Sequence, residues 1–336
     1  MGIHEVAARF FQSLMAGSWV PEYLARRGFD DAVQQDWRAG YAPAGRDALT
    51  RHLRAAGYPD PLIVASGLAR RSRRGFLTDT FRDRAVLPIR SARGGIVAFI
   101  GRAGEHAGPD SPRYLNSPAT ILFEKSLLLF GLWEARPALA AGAVPVIAEG
   151  PFDVLAIAVA GRGRFAPVAP CGTALTWAQA GALGQAAGGG AGGVLTAFDA
   201  DEAGRRAAVR AYRLLSQFPW QARAVRLPPG NDPAQLLAEH GAAALAAALA
   251  QATVPLADLV IDAELGRWGR WLRSGEGRVA ALRAIAPVIA AMPPPDVARQ
   301  VARLADGLEL DHGTVTEAVT GALSCPGCPA GSRAGR

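Results

Sequence analysis

Two short apolar runs, each closing on carboxylates and each followed by a stretch of helical periodicity, dominate the hydrophobic pattern of this chain. Residues 144–148 (VPVIA) run into Glu149-Gly150, and residues 194–198 (VLTAF) run into Asp199 and Asp201. Apolar runs of that length alternating with helices predict parallel strands covered on both faces. The acids would then stand at the carboxyl ends of neighbouring strands, where open α/β sheets place their ligands. Upstream, Val6, Phe10, Phe11, Leu14 and Met15 predict an amphipathic helix, and Tyr23-Leu24 a second, short one ending near Gly28. A further helix is predicted over residues 48–56, ended by Pro59 and Pro61, and residues 85–90 and 96–100 predict a hairpin through Gly94-Gly95. The central part continues with predicted helices over 177–186, 203–215 and 234–249 and a strand over 222–227. From Val254 onward strand signals fade, and helices over 256–273, 276–292, 294–307 and 311–323 predict a small helical domain.

Composition narrows the picture. A chain of 336 residues with 50% hydrophobic content has room for two or three modules and is not disordered throughout. The net charge of +7 and a pI near 10.0 favour an anionic partner, although an Arg-, Ala- and Gly-rich chain also reflects base composition. Three cysteines, Cys171, Cys325 and Cys328, form no disulfide framework and fit a reducing compartment. Neither an export signal nor an apolar stretch of membrane-spanning length is found. The expectation is a cytoplasmic protein without membrane partners.

The chemistry sits at the acidic strand ends. Glu149, Asp153, Asp199 and Asp201 offer oxygen donors only, and like charges at one sheet edge repel unless a cation joins them. Mg²⁺ or Mn²⁺, with waters and substrate phosphates completing the shell, answers both needs; without histidine or cysteine beside the acids, zinc does not. Asp199 and Asp201 share a face if the strand continues through them, and occupy a turn and a first helical turn if it has ended. Each acid alone reads equally as a helix cap or a solvated turn residue. The combination of E-G-x-x-D after one strand with D-x-D after another fits one cation site.

Together these phrases resemble the Toprim domain shared by bacterial DNA primases, topoisomerases and some nucleases, and in detail the DnaG-type primase branch. The resemblance implies metal-dependent chemistry at Glu149, Asp153, Asp199 and Asp201. The family's D-P-D segment corresponds to Asn231-Asp232-Pro233-Ala234, so Asp232 matches its first acid and Ala234 stands in place of the second. Upstream, Tyr23-Leu24-Ala25-Arg26-Arg27-Gly28 resembles YLxxRG, and Phe81-Arg82-Asp83-Arg84 with Pro88-Ile89 resembles FRxRxxFPI. Arg113-Tyr114-Leu115-Asn116-Ser117-Pro118 resembles KYxNSP with arginine for lysine, Phe123-Glu124-Lys125-Ser126 resembles FxKS, and Phe130-Gly131 stands for YG. Residues 170–175, which include Gly172-Thr173, resemble A-x-x-G-T-A-L, and Gly172-Thr173 can form a turn offering a hydroxyl and a backbone donor.

The resemblance covers about residues 3–323 and not the zinc-binding module or full helicase-interaction domain typical of the family. It implies an α/β fold: a Toprim domain over 138–252, a mixed α/β basic subdomain before it over 1–137, a helical subdomain after it over 253–323 and a flexible tail over 324–336. It implies a DNA-directed RNA primase that condenses nucleoside triphosphates on single-stranded DNA, with a replicative helicase or a separate zinc-binding protein as further partners and a place at the nucleoid or replication fork. Glu149, Asp199 and Asp201 would be catalytic, with Asp153 and Asp232 joining them around the metal. Arg84, Arg102, Arg113, Tyr114, Asn116 and Lys125 would contact template or nucleotide, the four basic residues forming a wall opposite the acids. Tyr114 reads equally as a stacking platform or a core ring, Asn116 as a phosphate or sugar contact or a turn residue, and Asp232 as a helix cap or a cation ligand. The arginines of residues 70–74 read as nucleic-acid contacts or as a solvated loop. A Toprim nuclease, and a non-catalytic DNA-binding accessory of replication or a mobile element, remain the alternatives. The glycine run over 188–193 lacks the lysine and hydroxyl residue of a phosphate loop, and Cys325 with Cys328 falls short of the four ligands of structural zinc.

Overall fold

A computed structural model of the chain describes residues 2–108, 110–172, 174–188 and 192–323. The first part runs α1 (Ile3–Ser13), α2 (Val20–Arg26), α3 (Asp31–Asp36), β1 (Gly40–Ala42), α4 (Ala48–Ala55), α5 (Asp60–Ala65), β2 (Ala69–Arg71), β3 (Leu77–Asp79), β4 (Arg84–Arg90), β5 (Ile96–Ala103) and β6 (Tyr114–Asn116). The predicted hairpin is the β4–β5 pair, at the centre of an antiparallel sheet ordered β1-β4-β5-β6. One stripe of α1, with Ala7, Ala8 and Phe11, packs on this sheet, Phe11 meeting Phe99 edge-on at 5.4 Å. Pro59 and Pro61 do more than end α4. Pro61 lies in the opening turn of α5, where a missing N–H costs nothing. The arginine run forms a β2–β3 hairpin, with Arg70, Arg71, Arg73 and Arg74 exposed.

The second part comprises β7 (Leu129–Phe130), α6 (Leu132–Ala140), β8 (Val144–Ala148), α7 (Pro151–Gly161), β9 (Phe165–Pro170), α8 (Trp177–Ala186), β10 (Gly193–Ala197), α9 (Glu202–Leu215), β11 (Gln221–Val225), α10 (Pro233–Gln251) and β12 (Thr253–Pro255). Its sheet is ordered β12-β11-β10-β8-β9-β7, parallel from β11 to β9 and closed by antiparallel edges. Side chains of the central strands alternate between two cores. Val146, Ala148, Leu195 and Ala197 face a core shared with α7 and α10, while Ile147 and Val194 face one shared with α8, α9 and the C-terminal helices. Fully burying each valine, leucine or isoleucine is worth about 1.5–3 kcal/mol, and this two-sided burial makes the strands read as continuous apolar runs.

The larger sheet starts upstream of the boundary placed at 137/138. β7 already belongs to it, and α6 runs through that boundary with Pro137 inside the helix. α10 is broken at Gly241, whose φ of 80° leaves the helical region. β12 is an edge strand too short to stand out in the sequence; it ends on Pro255, which an edge tolerates. The C-terminal part is α11 (Leu256–Trp268), a 3₁₀ turn over Gly269–Arg273, α12 (Gly275–Ala290), α13 (Pro294–Leu308) and α14 (His312–Leu323). The single helix predicted over 256–273 is thus divided at Gly269, with φ 35°. Among the described residues no helix is long and apolar enough to cross a membrane. Thr173, the centre of the glycine run, Cys325, Cys328 and the tail over 324–336 lie outside the described residues.

Candidate active site

β8 and β10 pair in parallel with Ala148 opposite Ala197, so the residues that follow each strand emerge side by side. Glu149 Oε1 accepts a hydrogen bond from the Asp199 amide at 3.1 Å. β10 has ended before the D-x-D phrase: Asp199 occupies the turn, and Asp201 caps α9 with Oδ1 on the Gly204 N–H at 2.8 Å. This is the turn-and-helix alternative, which aims the positive end of α9 at the acids. The Ala200 amide donates to the Asn231 carbonyl at 3.2 Å, drawing in the loop that carries Asp232. Asp232 caps α10 with Oδ1 on the Gln235 N–H at 2.6 Å. Glycine is required at 204, where a Cβ would lie 2.0 Å from the Asp199 carbonyl oxygen.

Burial, followed by the charges of Glu149, Asp232 and Asp201, pushes the Asp199 carboxyl up to about 7. Burial likewise raises Glu149, with Asp201 and Asp232 adding to it while the Asp199 amide and Arg210 oppose. Asp153 behaves differently. It is buried, raised well above the usual carboxylate range by desolvation first and then by Asp232 and Asp199. Its Oδ2 accepts from the Gly150 amide at 3.1 Å and its Oδ1 from the Ala234 amide at 3.3 Å. The residue in the family's second-acid place therefore contributes a backbone donor, and Asp153 clamps the start of α10 onto α7.

Among the described residues no three acidic, histidine or cysteine side chains stand close enough, as placed, to enclose an ion. The donor set nevertheless suits a hard divalent cation. It consists of oxygens, its negative charge is only partly offset by Arg113 and Arg210, and Glu149, Asp201 and Asp232 each spend one oxygen on a backbone amide, keeping the other for an ion.

A stability effect follows from the raised carboxyl. Asp199 binds its proton more tightly in the folded chain than at its ordinary value of 3.8, so its contribution to stability is complete below that value and is lost as pH rises through about 7. In chelator, Asp199→Asn protein should melt above the parent, the gap opening from about pH 4 to 7 and reaching on the order of 1 kcal/mol after solvent screening. Mg²⁺ should narrow it. Thermal melts across pH test this, and a gap that ignores pH would refute it.

The basic residues divide into two kinds. Arg84 is buried, its terminal nitrogens donating to the Pro112 carbonyl at 2.8 Å and to Ser111 Oγ at 2.9 Å, so it ties down the loop before β6. Arg102 is also buried, with Nη1 on the Tyr114 hydroxyl at 2.9 Å and its guanidinium over the rings of Tyr114, Tyr23 and Phe152 at 5.0, 5.9 and 5.7 Å. This cluster joins the first part of the chain to α7 at Phe152, three residues after Glu149. Within it the Tyr114 hydroxyl, desolvated, is raised to about 12. Asn116 donates from Nδ2 to the Cys171 carbonyl at 3.1 Å, bridging β6 to the end of β9.

Arg113 is exposed, and its charge reaches Asp199, lowering that carboxyl against the other influences on it. Lys125 sits on a loop fixed from α8: Gln179 Nε2 donates to the Lys125 carbonyl at 2.8 Å and Thr176 Oγ1 to the Ser126 carbonyl at 2.6 Å. Of the four basic residues expected to form a wall, Arg113 and Lys125 have side chains available to a ligand, while Arg84 and Arg102 are internal. The sequence also left Arg210 as one arginine on a helix face. Its charge acts on Glu149 and the two residues line one cavity, a neighbourhood that no local pattern in the chain signals.

Comparison with known proteins follows the same division of the chain. Residues 10–136 match the DNA primase catalytic core, N-terminal domain, and residues 146–237 match a Toprim-like domain. The DNA primase of Mycobacterium tuberculosis (strain ATCC 25618 / H37Rv) is 35% identical over 302 residues, which cover 88% of this chain and 46% of that protein. The chain thus spans about half the length of the curated relatives it matches. The crystal structure of the RNA polymerase domain of M. tuberculosis primase DnaG superposes with a TM-score of 0.79 at 33% identity, covering 91% of this chain and 97% of that one. The same domain in complex with a double-stranded DNA oligomer carrying a 6-nucleotide overhang gives 0.76 at 32% identity, covering 92% and 97%.

Proposed function

We propose that this chain, which belongs to the bacterial DnaG-type primase family through its catalytic core, synthesises short RNA primers on single-stranded DNA from nucleoside triphosphates. The observation that carries this reading is the convergence of Glu149 and the Asp199–Asp201 turn at the ends of adjacent strands, within reach of the Arg113 charge. In the reaction the primer 3′-hydroxyl attacks the α-phosphorus of the incoming triphosphate, its proton leaves, and the bond to pyrophosphate breaks. Asp199, Asp201 and Asp232, with Glu149, would hold Mg²⁺ or Mn²⁺. When bound, the ion offsets the clustered carboxylates and the negative charge that builds on the phosphate oxygens.

The chain's own groups supply the rest. Arg113 and Lys125 attract the triphosphate and template and orient their phosphates, so that the hydroxyl and phosphorus meet in line. Glu149, with its raised proton affinity, is placed to hold the ion or to accept the hydroxyl proton. The Arg102 cluster keeps the first part of the chain docked on α7 and so holds Arg113 in place relative to the acids. The DNA complex of the M. tuberculosis domain supports a nucleic-acid partner.

Incubation with labelled ribonucleotides, a single-stranded template and Mg²⁺ or Mn²⁺ should yield short template-dependent RNA that a chelator abolishes. Absence of product on every template, with or without an added zinc-binding domain and helicase, would reject the proposal. Cleavage of the labelled strand without nucleotides would point to a nuclease.

A further inference from the structure

A groove of about 660 Å³ opens between α9 and α11. Arg206, Arg210 and Arg213 line it from α9, at spacings of four and three that place them along one stripe, and Arg267 lines it from α11. The two acids on its walls are already engaged. Glu202 pairs with Arg205 at 2.6 Å and Arg206 at 3.5 Å, and Asp262 pairs with Arg303 at 2.5 Å and Arg226 at 3.9 Å. Arg267 also acts on Glu202 across the groove, so the two helices face one another closely enough for their charges to couple. Arg267 is paired on its own helix with Glu264 at 2.8 Å, whereas among the described residues no carboxylate forms a salt bridge with Arg210 or Arg213. The groove is therefore a concave surface with an excess of arginines, the residue best suited to forked contacts with phosphate oxygens.

Its position gives the excess charge a direction. Arg210 lines this groove and also a neighbouring cavity of about 320 Å³ that contains Glu149 and Gly172. Groove and acidic site thus share a wall. Along α9, Arg206 to Arg213 spans roughly 10 Å at the helical rise. That matches about three nucleotides of a strand stacked as in a duplex, where each rises about 3.4 Å.

We propose that the groove between α9 and α11 is a phosphate track that holds the backbone of a nucleic-acid strand leading away from Glu149. The inference rests on the primase reading and adds a site to it: the track sets how much strand the enzyme grips beyond the reacting end. Template DNA and product RNA present the same phosphodiester chemistry to arginine, and the experiment separates them.

The test uses the full chain with Arg206, Arg213 and Arg267 all replaced by glutamine, beside a set with the same three replaced by lysine. Arg206 pairs with Glu202 and Arg267 with Glu264, but all three side chains are largely exposed and surface pairs contribute little, so both sets should melt close to the parent. Fluorescence anisotropy with labelled single-stranded DNA and, separately, single-stranded RNA is recorded at several salt concentrations. The glutamine set should bind roughly tenfold more weakly, with the slope of log affinity against log salt shallower by about 2, or about 0.7 for each lost phosphate contact. The lysine set should recover most of the slope. Loss with DNA alone assigns the track to the template, and loss with RNA alone assigns it to the product. Affinity and slope equal to the parent on both strands would overturn the proposal, as would polyglutamate competing as well as a nucleic acid of equal length. Because the readout is binding, it decides the groove even if the parent makes no primer, an outcome that would count against the primase reading alone.

Discussion

Primer synthesis should fall by about a thousandfold or more when either Asp199 or Asp201 is replaced by asparagine, while single-stranded DNA binding stays within a few-fold of the parent. The two substitutions isolate charge from fold. Asparagine caps a helix about as well as aspartate, so Asp201→Asn keeps the hydrogen bond to the Gly204 amide and with it the start of α9. Asp199→Asn removes repulsion from Glu149, Asp232 and Asp201 and should leave the metal-free chain at least as stable. What each loses is a negative oxygen donor to a hard cation, for which a neutral amide is a weak substitute. The measurement is labelled-nucleotide incorporation over a range of Mg²⁺ and Mn²⁺ concentrations, with anisotropy on the same preparations. Synthesis near the parent rate in both folded variants would remove the D-x-D turn from the chemistry.

Gly204→Ala should be the most damaging change that removes no chemical group from the site. By helix propensity alone, alanine inside α9 ought to stabilise the chain by about 1 kcal/mol. The local geometry reverses that sign. A Cβ at 204 would lie 2.0 Å from the Asp199 carbonyl oxygen and 2.9 Å from its carbonyl carbon, both backbone atoms that no rotamer change can move aside. The first turn of α9 must shift, taking with it the Asp201 cap and the turn that meets Glu149. A loss of about 2–4 kcal/mol in denaturant unfolding is expected. Synthesis should drop on the order of a hundredfold in the protein that remains folded, as befits a displacement near 1 Å at reacting groups. A variant as stable as the parent would show that the close approach at Gly204 relaxes without cost.

The two predictions draw on different kinds of information. That Asp199 and Asp201 follow a buried strand is visible in the residues, because a parallel strand covered on both faces writes itself as an uninterrupted apolar run and its end is marked by the first charges. The β4–β5 hairpin, α8 and α9 are legible for the same reason, since turn glycines and helical periodicity are properties of neighbours in the chain. The joint placement of E-G-x-x-D and D-x-D was not written in that rhythm: β9 lies between the two strands in the chain but pairs on the far side of β8, so it is the sheet order β10-β8-β9 that brings the two phrases together.

Elements without such local signatures escaped. β7 has two residues and β12 three, and each is a strand only because a longer neighbour offers it hydrogen bonds. α5 begins at the Pro61 turn that had read as a stop, because a proline interrupts a helix interior but fits its first turn.

Side-chain commitments were decided by tertiary structure alone. Arginines at 84, 102 and 113 are the same residue type in equally basic phrases, yet the first is taken by the loop carbonyl and hydroxyl at residues 111–112. The second is stacked among Tyr23, Tyr114 and Phe152, and the third is left exposed within reach of Asp199. Asp153 lies four residues from Glu149 and looked like its partner in the cation site. Its carboxylate accepts from the amide of Ala234, 81 residues away, and locks two helices together, a tie that nothing near Asp153 in the chain announces. The sequence by itself determined the two acid-bearing strands and the residues that end them, because burial and turn chemistry are encoded within a few residues; β9, buried at all its positions but carrying Pro167 and Pro170, was not among the strands it marked. Which charges face the groove and which are consumed inside the protein depended on donors and rings brought up from distant segments, because a buried charge must be matched by whatever the fold places beside it.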